Sequence, residues 1–251
     1  MNITGNTILI TGGTSGIGLG LALKLQQRGN KVIVAGRRTA LLDAITTKNP
    51  GIDGIELDVA DPASIKQARL SLASSHPDLN VVINNAGIML EENLLEPADV
   101  QIAEAHVTTN LLGSIRMSYA FAPTLVGKTN ATIVNVTSAL AFVPFPSTPT
   151  YSATKAALHA FTEALRVQLA SAGTGIQVIE IVPPGVRTEL LNQKDNEHAM
   201  FLDAFLTELT NQLQEQPTAD ELVVEQALPI RNAVADGSYA DMLTMFSNIK
   251  P

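Results

Sequence analysis

Apolar residues in this chain follow two rhythms that alternate from the N-terminus onward. Short runs rich in β-branched residues predict strands: Thr7–Thr11 (TILIT), Lys31–Ala35 (KVIVA), Ile55–Val59 (IELDV), a run beginning Val81–Ile83, Ala131–Val136 and Ile176–Val182 (IQVIEIV). Between them apolar positions recur at helical spacing. Leu19, Ala22, Leu23 and Leu25 mark one helix, and Asp61-Pro62 opens another that runs to Ser75. Val100, Ala103, Val107, Leu111 and Ile115 mark a helix over about 97–122, and a long helix runs from Tyr151 to about Leu169. Strand and helix alternate six times, which calls for one parallel sheet covered by helices on both faces, a three-layer α/β domain spanning 1–251. Ligand sites in such sheets lie at the carboxyl ends of the strands, where Gly12, Arg37, Asp58, Asn85, Ser138 and Pro183 all fall.

The composition narrows the class of partner. At 251 residues, 45% hydrophobic and 16% charged, the chain can bury a sizeable core and is not disordered. A net charge of −8 argues against nucleic acid or an anionic membrane as the main partner. With no cysteine there is no disulfide, thiolate metal site or Cys nucleophile. The stretch between Lys128 and Lys155 carries no charge, but Asn130, Asn135, Pro144, Pro146 and Pro149 make it a buried strand followed by a loop rather than a membrane span. No basic and then apolar leader is read at the start, so a cytoplasmic protein is expected. His76, His106, His159 and His198 are scattered, so no metal site is expected; His106 reads as a surface residue and Glu91-Glu92 as a solvated loop.

Three segments carry candidate chemistry. Between the first strand and the first helix, Thr11–Gly18 reads TGGTSGIG. Gly12, Gly16 and Gly18 permit a tight turn and close approach of a ligand, and the new helix offers unpaired N–H groups to a phosphate. The plainer alternative is a glycine-rich turn with no ligand. The second strand ends in Gly36-Arg37-Arg38 with no acid for a ribose 2′-hydroxyl, and two guanidiniums there favour the 2′-phosphate of NADP, Arg37 before Arg38. Tyr151 and Lys155 lie four apart, one turn on a helix face, so an ammonium beside the phenol is expected to lower its pKa and make it a usable acid and base.

In order and spacing, Thr11-Gly12-x-x-x-Gly16-Ile17-Gly18, Asn84-Asn85-Ala86-Gly87, Asn110, Ser138, Tyr151-x-x-x-Lys155 and Pro184-Gly185 followed by Thr188 resemble the classical short-chain dehydrogenase/reductase family over about residues 5–190. Arg37-Arg38, Pro183-Pro184-Gly185 and TADELVVEQALPIRNA look most like its DltE-type subgroup. The resemblance implies a Rossmann-type doubly wound sheet and an NADP(H)-dependent oxidoreductase that interconverts a carbonyl and an alcohol. It implies that Tyr151 gives or takes the proton, Ser138 hydrogen-bonds the substrate oxygen, Lys155 tunes Tyr151 and binds the nicotinamide ribose, and Asn110 holds a water in a proton relay. Gly12, Thr14, Ser15, Gly16, Ile17 and Gly18 are implied to cradle the pyrophosphate and adenosine side. Asp58 and Val59 are implied at the adenine, Asn85, Ala86 and Gly87 at the adenosine ribose, and Pro183, Gly185 and Thr188 at the nicotinamide.

After Thr188 the chain departs from the family pattern. Its end, YADMLTMFSNIKP, lacks the glycine pattern of many members, so the seventh strand is expected to be missing and a homodimer is favoured over a tetramer. That dimer would use the helices around Asn110 and after Tyr151, where Met117, Tyr119, Phe121, Leu158 and Phe161 exceed what one sheet face needs, or else pack inside the monomer. Residues 189–216 are expected as a helical insertion covering the substrate, with Met200 and Phe201 lining its pocket beside Leu140 and Phe145. Of the basic residues in these loops only Arg187 and Lys194 stand near, so an apolar carbonyl compound is the expected substrate. The alternative is a non-catalytic NADP-binding sensor or scaffold, against which stands the presence of Asn110, Ser138, Tyr151 and Lys155 together.

Overall fold

The computed structural model describes residues 1–249, and Lys250 and Pro251 lie outside the described residues. Seven strands form one parallel sheet: β1 Thr7–Thr11, β2 Lys31–Gly36, β3 Ile52–Glu56, β4 Val81–Asn84, β5 Thr132–Val136, β6 Gln177–Val182 and β7 Glu221–Val223, in the order β3-β2-β1-β4-β5-β6-β7. The order reverses direction between β1 and β4, which opens a crevice at their carboxyl ends.

Alternation along the strands decides which helices cover which face. Ile8, Ile10, Val32, Val34, Val134 and Ile179 point to a core filled by α1 (Gly16–Gln26), α2 (Thr39–Lys48) and α7 (Leu202–Glu215). Leu9, Ile33, Val82, Ile133 and Val178 point the other way, to α3 (Pro62–Ser75), α5 (Gly113–Leu125) and α6 (Pro149–Ser171). Local chemistry places the helix starts. Asp61 accepts the Ala63 N–H at 2.8 Å with Pro62 at the first helical position, and α6 likewise starts at Pro149.

Four expectations need correction. The seventh strand is present: Glu221–Val223 pairs with Glu180–Val182, and three residues are too few for any periodicity to reveal. Because β7 runs parallel to β6, residues 202–215 form the crossover helix and bury Phe205, Leu206, Leu209 and Leu213 in the core, so only the earlier part of 189–216 can cover a substrate. The third strand is Ile52–Glu56 rather than 55–59, its glycine-flanked start held by backbone pairing to β2, and Asp58 follows the strand. The single helix expected over 97–122 is instead a 3-10 turn at Pro97–Asp99, α4 (Val100–His106), a π-helical turn at Val107–Leu112 and α5. Among the described residues no helix is long and apolar enough to cross a membrane.

Candidate active site

The glycine loop between β1 and α1 packs so closely against itself and the loop after β4 that side chains do not fit at Gly12 or Gly18. Gly12 has φ +65°, and a Cβ there would stand 2.8 Å from Ala86 Cα; a Cβ on Gly18 would stand 2.4 Å from the Gly12 carbonyl oxygen. The loop after β4 is tied to it. Thr11 Oγ1 accepts the N–H groups of Asn85 and Ala86 at 3.0 and 3.1 Å, and Asn85 Nδ2 donates to the Thr11 carbonyl at 3.0 Å. Two loops far apart in sequence are thereby held rigidly across the crevice.

A cavity of about 630 Å³ runs along these strand ends, within the range of ligand pockets. Every residue expected at the cofactor, from Gly12 through Thr188, lines it, as do Ser138, Leu140 and Phe145. At one end Arg37 Nη1 stands 3.9 Å from Asp58 Oδ2, while Arg38 Nη2 donates to Thr14 Oγ1 at 3.1 Å and to Ser15 Oγ at 3.3 Å. Elsewhere the lining includes an apolar group of Leu140, Phe145, Ile230 and Phe246, with Ile249 and the polar Gln193, Asn196, His198 and Gln226 also on the cavity. Phe145 and Phe246 meet edge to face at 5.8 Å between ring centroids.

Met200 and Phe201 do not join this wall. Met200 is consumed in a bridge with Val186 and packs on the main core, and Phe201 is 64% exposed with the Arg187 guanidinium 3.9 Å above its ring. The missing aromatic comes from the chain's end, where a helix over Tyr239–Ser247 carries Phe246. The helical spacing of Tyr239, Met242, Leu243 and Phe246 is visible in the sequence, but nothing there says which cavity it faces.

Ser138, Tyr151 and Lys155 converge in the middle. All three are buried, and the Lys155 Nζ donates to the Val136 carbonyl at 2.7 Å and lies 5.6 Å from the centre of the Tyr151 ring. Burial pushes the Tyr151 phenol up to about 12, with the Ser138 hydroxyl pulling the other way. The lowering expected from Lys155 is thus not found: burial dominates, and the Ser138 hydroxyl is what opposes it. Burial also draws the Lys155 ammonium down to about 8, opposed by the charge of Glu180.

Asn110 occupies the π-helical turn, buried, and does not line the cavity. Its Oδ1 accepts the Ile88 N–H and its Nδ2 donates to the Ile88 carbonyl, both at 2.8 Å. Both ends of the amide are therefore spent on pinning the backbone just after Gly87, and the extra residue of the π turn gives the helix room to bring it there. One turn earlier, His106 is fully buried rather than on the surface. Its Nε2 accepts the Leu90 N–H at 3.0 Å, which places the proton on Nδ1, facing Glu92 at 3.2 Å. Glu92 is not a solvated loop residue either: its carboxylate, 2% exposed, also accepts the Thr150 N–H and hydroxyl at 3.1 and 2.6 Å, one residue before Tyr151. Burial lowers the His106 pKa, with Glu92 opposing.

The model of the family described as short chain dehydrogenase matches residues 6–199. An uncharacterized oxidoreductase DltE of Bacillus subtilis is 41% identical over 198 residues, covering 78% of this chain and 77% of that protein. An NADPH-dependent 1-acyldihydroxyacetone phosphate reductase of Schizosaccharomyces pombe is 35% identical over 185 residues, covering 73% of this chain and 60% of that protein. The crystal structure of a short chain dehydrogenase from Burkholderia cenocepacia in complex with NADP superposes with a TM-score of 0.82 at 28% identity, covering 100% of each chain.

Proposed function

The chain belongs to the short chain dehydrogenase family of oxidoreductases, and from that premise we propose that it is an NADP(H)-dependent enzyme reducing a carbonyl compound to an alcohol. The observation that carries the reading is the convergence of Ser138, Tyr151 and Lys155 on the cavity whose far end holds Arg37 and Arg38. The cofactor fits the residues present. The loop at Gly12 and Gly18 leaves no space for a Cβ yet opens onto the cavity, the N-terminus of α1, where Gly16, Ile17 and Gly18 line it, would hold a pyrophosphate, and two guanidiniums suit a 2′-phosphate.

When bound, NADPH supplies the hydride. The protein's own groups do the rest. Ser138 hydrogen-bonds the carbonyl oxygen and Tyr151, a neutral phenol at physiological pH, gives it a proton through its hydroxyl. The Lys155 ammonium stabilises the phenolate left behind, and its grip on the Val136 carbonyl fixes its place. Asn110 serves by holding Ile88, which keeps the loop of Asn85 to Gly87 against the cavity.

The substrate end favours a neutral, apolar carbonyl compound. Arg187 is committed to Phe201 and to the Ala199 and Glu197 carbonyls, and Lys194 to Glu189 at 3.0 Å, so neither is available to a substrate carboxylate. The homodimer finds support on a narrower surface than the sequence suggests. Met117, Phe121 and Leu158 pack inside the monomer, whereas Tyr119 on α5 is 74% and Val167 on α6 67% exposed. Sedimentation velocity tests that assembly, with Tyr119→Glu expected to yield monomers. The activity itself is tested by following NADPH and NADH oxidation with a panel of ketones, aldehydes and keto acids; NADPH with apolar ketones or aldehydes is expected to lead. A preference for keto acids would contradict the substrate reading.

A further inference from the structure

Behind the catalytic trio lies a buried carboxylate that the reaction just described does not use. Glu180 sits in the middle of β6 with 1% of its surface exposed, between Ile179 and Ile181. An isolated carboxylate in such a place costs several kcal/mol, so its partners matter. They are hydrogen-bond donors. Thr137 Oγ1 donates to Glu180 Oε1 at 2.6 Å, and His159 Nδ1 lies 3.0 and 2.8 Å from its two oxygens. Nδ1 meets only acceptors there, so it carries the proton.

Both partners lead to the active site. Thr137 immediately precedes Ser138, and its backbone and that of Val136 flank the carbonyl that Lys155 grips. His159 follows Lys155 by one turn of α6 and packs edge to face on Phe142, 4.9 Å between centroids, in the turn that follows Ser138. The charge of Glu180 also acts on the Lys155 ammonium. Resting on the proposed reductase chemistry, we infer that Glu180 is a positioning residue for the catalytic centre: through Thr137 and His159 its carboxylate fixes the segment that presents Ser138 and the Val136 carbonyl to which Lys155 donates.

Other charged groups near this carboxylate are already matched. Glu221 of β7 comes within 4.8 Å of the His159 and Glu180 ligand atoms, but Arg231 Nε holds it at 2.8 Å, and the same guanidinium lies 4.3 Å over the Phe142 ring. Glu163 on α6 stands 3.7 Å from His159 Nε2, toward solvent. Tyr151, the remaining titratable group beside Lys155, is protonated throughout the range in which the ammonium titrates. Glu180 is thus a buried carboxylate whose charge reaches Lys155.

The test needs a readout other than turnover. Acetic anhydride labelling of Lys155, followed by mass spectrometry against pH in the protein without nucleotide, reports the titration of its amine directly. Wild type is expected to label with a midpoint near pH 8. Glu180→Gln keeps the size and one acceptor but removes the charge, and is expected to lower the midpoint by roughly one pH unit. Glu180→Asp retains the charge but draws it back by one methylene, and is expected to fall between the two, so either variant alone decides if the other does not fold. The alkaline limb of kcat should move in the same order, with the KM for NADPH changing less than about threefold. Labelling midpoints equal to wild type in folded variants would overturn the inference even if the enzyme reduces ketones. Shifted midpoints in a protein that reduces nothing would instead leave the inference standing and remove the reductase reading.

Discussion

At the Arg37 end of the cavity the walls are backbone and strand ends: Gly12 and Gly18 leave no room for a side chain, and Thr11 clamps the loops after β1 and β4 together. At the Phe246 end the wall is made of side chains on short C-terminal helices, joined to the rest through a satellite cluster of Val143, Ala233 and Phe246. The first end is over-determined by hydrogen bonds and close contacts, and it can carry a ligand whose shape does not vary. The second is held by a few apolar contacts that a substitution can reshape without disturbing the sheet. A family can therefore keep one cofactor while substrates diverge, because the two demands fall on separately built parts of one cavity.

Substitution at Gly18 should have the largest effect on the first end. Gly18→Val must push against the Gly12 carbonyl, and a misplacement of about 1 Å costs on the order of 100-fold in rate, so kcat/KM with NADPH should fall by about that much and NADPH affinity measured by fluorescence should fall with it. Retained affinity would mean that the loop is not a cradle. The two arginines sharpen the picture within that end. Arg37→Ala should weaken NADPH roughly 10-fold or more and leave NADH almost unchanged, as expected for loss of a charged hydrogen bond to the 2′-phosphate. Arg38→Ala should weaken both, because Arg38 also holds Thr14 and Ser15. Equal losses for Arg37→Ala with both nucleotides would sink the 2′-phosphate assignment.

At the opposite end, Phe246→Leu should change the KM for a bulky apolar ketone by roughly 10-fold while the NADPH affinity stays as it was. A matching fall in NADPH affinity would show that the two ends are not independent. The smallest effect concerns stability. Lys155 titrates near 8 in the fold against an ordinary lysine value of 10.5, so between these values the unfolded chain binds more protons and stability rises with pH, by at most about 1.4 kcal/mol per unit. Tyr151, raised to about 12 from 10, works in the opposite sense, and its contribution is lost only above pH 10. Urea unfolding at pH 8, 9 and 10 should show the rise in wild type and a flatter profile in Lys155→Met; identical slopes would contradict the burial argument.

The difference between the two ends also governs what could be read from the sequence. The glycine loop, Arg37-Arg38 and Tyr151-x-x-x-Lys155 are local, because each works through neighbours a few residues away, and spacing alone reveals them. Phe246 reaches the cavity only because the chain returns to it after β7, a strand of three residues that no alternation announces. Met200 and Phe201 share the same apolar character and were turned elsewhere by a backbone bridge and an arginine. Glu92 and His106 read as surface because charged residues usually are; only the fold brings the loop after β4 onto α6 and buries them together. The π turn at Asn110 is equally hidden, since one extra residue leaves the apolar rhythm almost unchanged.

The proposed reaction turns on Tyr151 as the proton donor in an NADPH-dependent carbonyl reduction. Its most direct test follows the nicotinamide absorbance for wild type and Tyr151→Phe with NADPH and an apolar ketone that wild type reduces. Steady oxidation is expected for wild type, and in Tyr151→Phe an unchanged NADPH affinity with a rate lower by about 100- to 10,000-fold. A variant that reduces the ketone at the wild-type rate would contradict it, as would a wild type that binds NADPH tightly and oxidises it with no carbonyl compound of a broad panel.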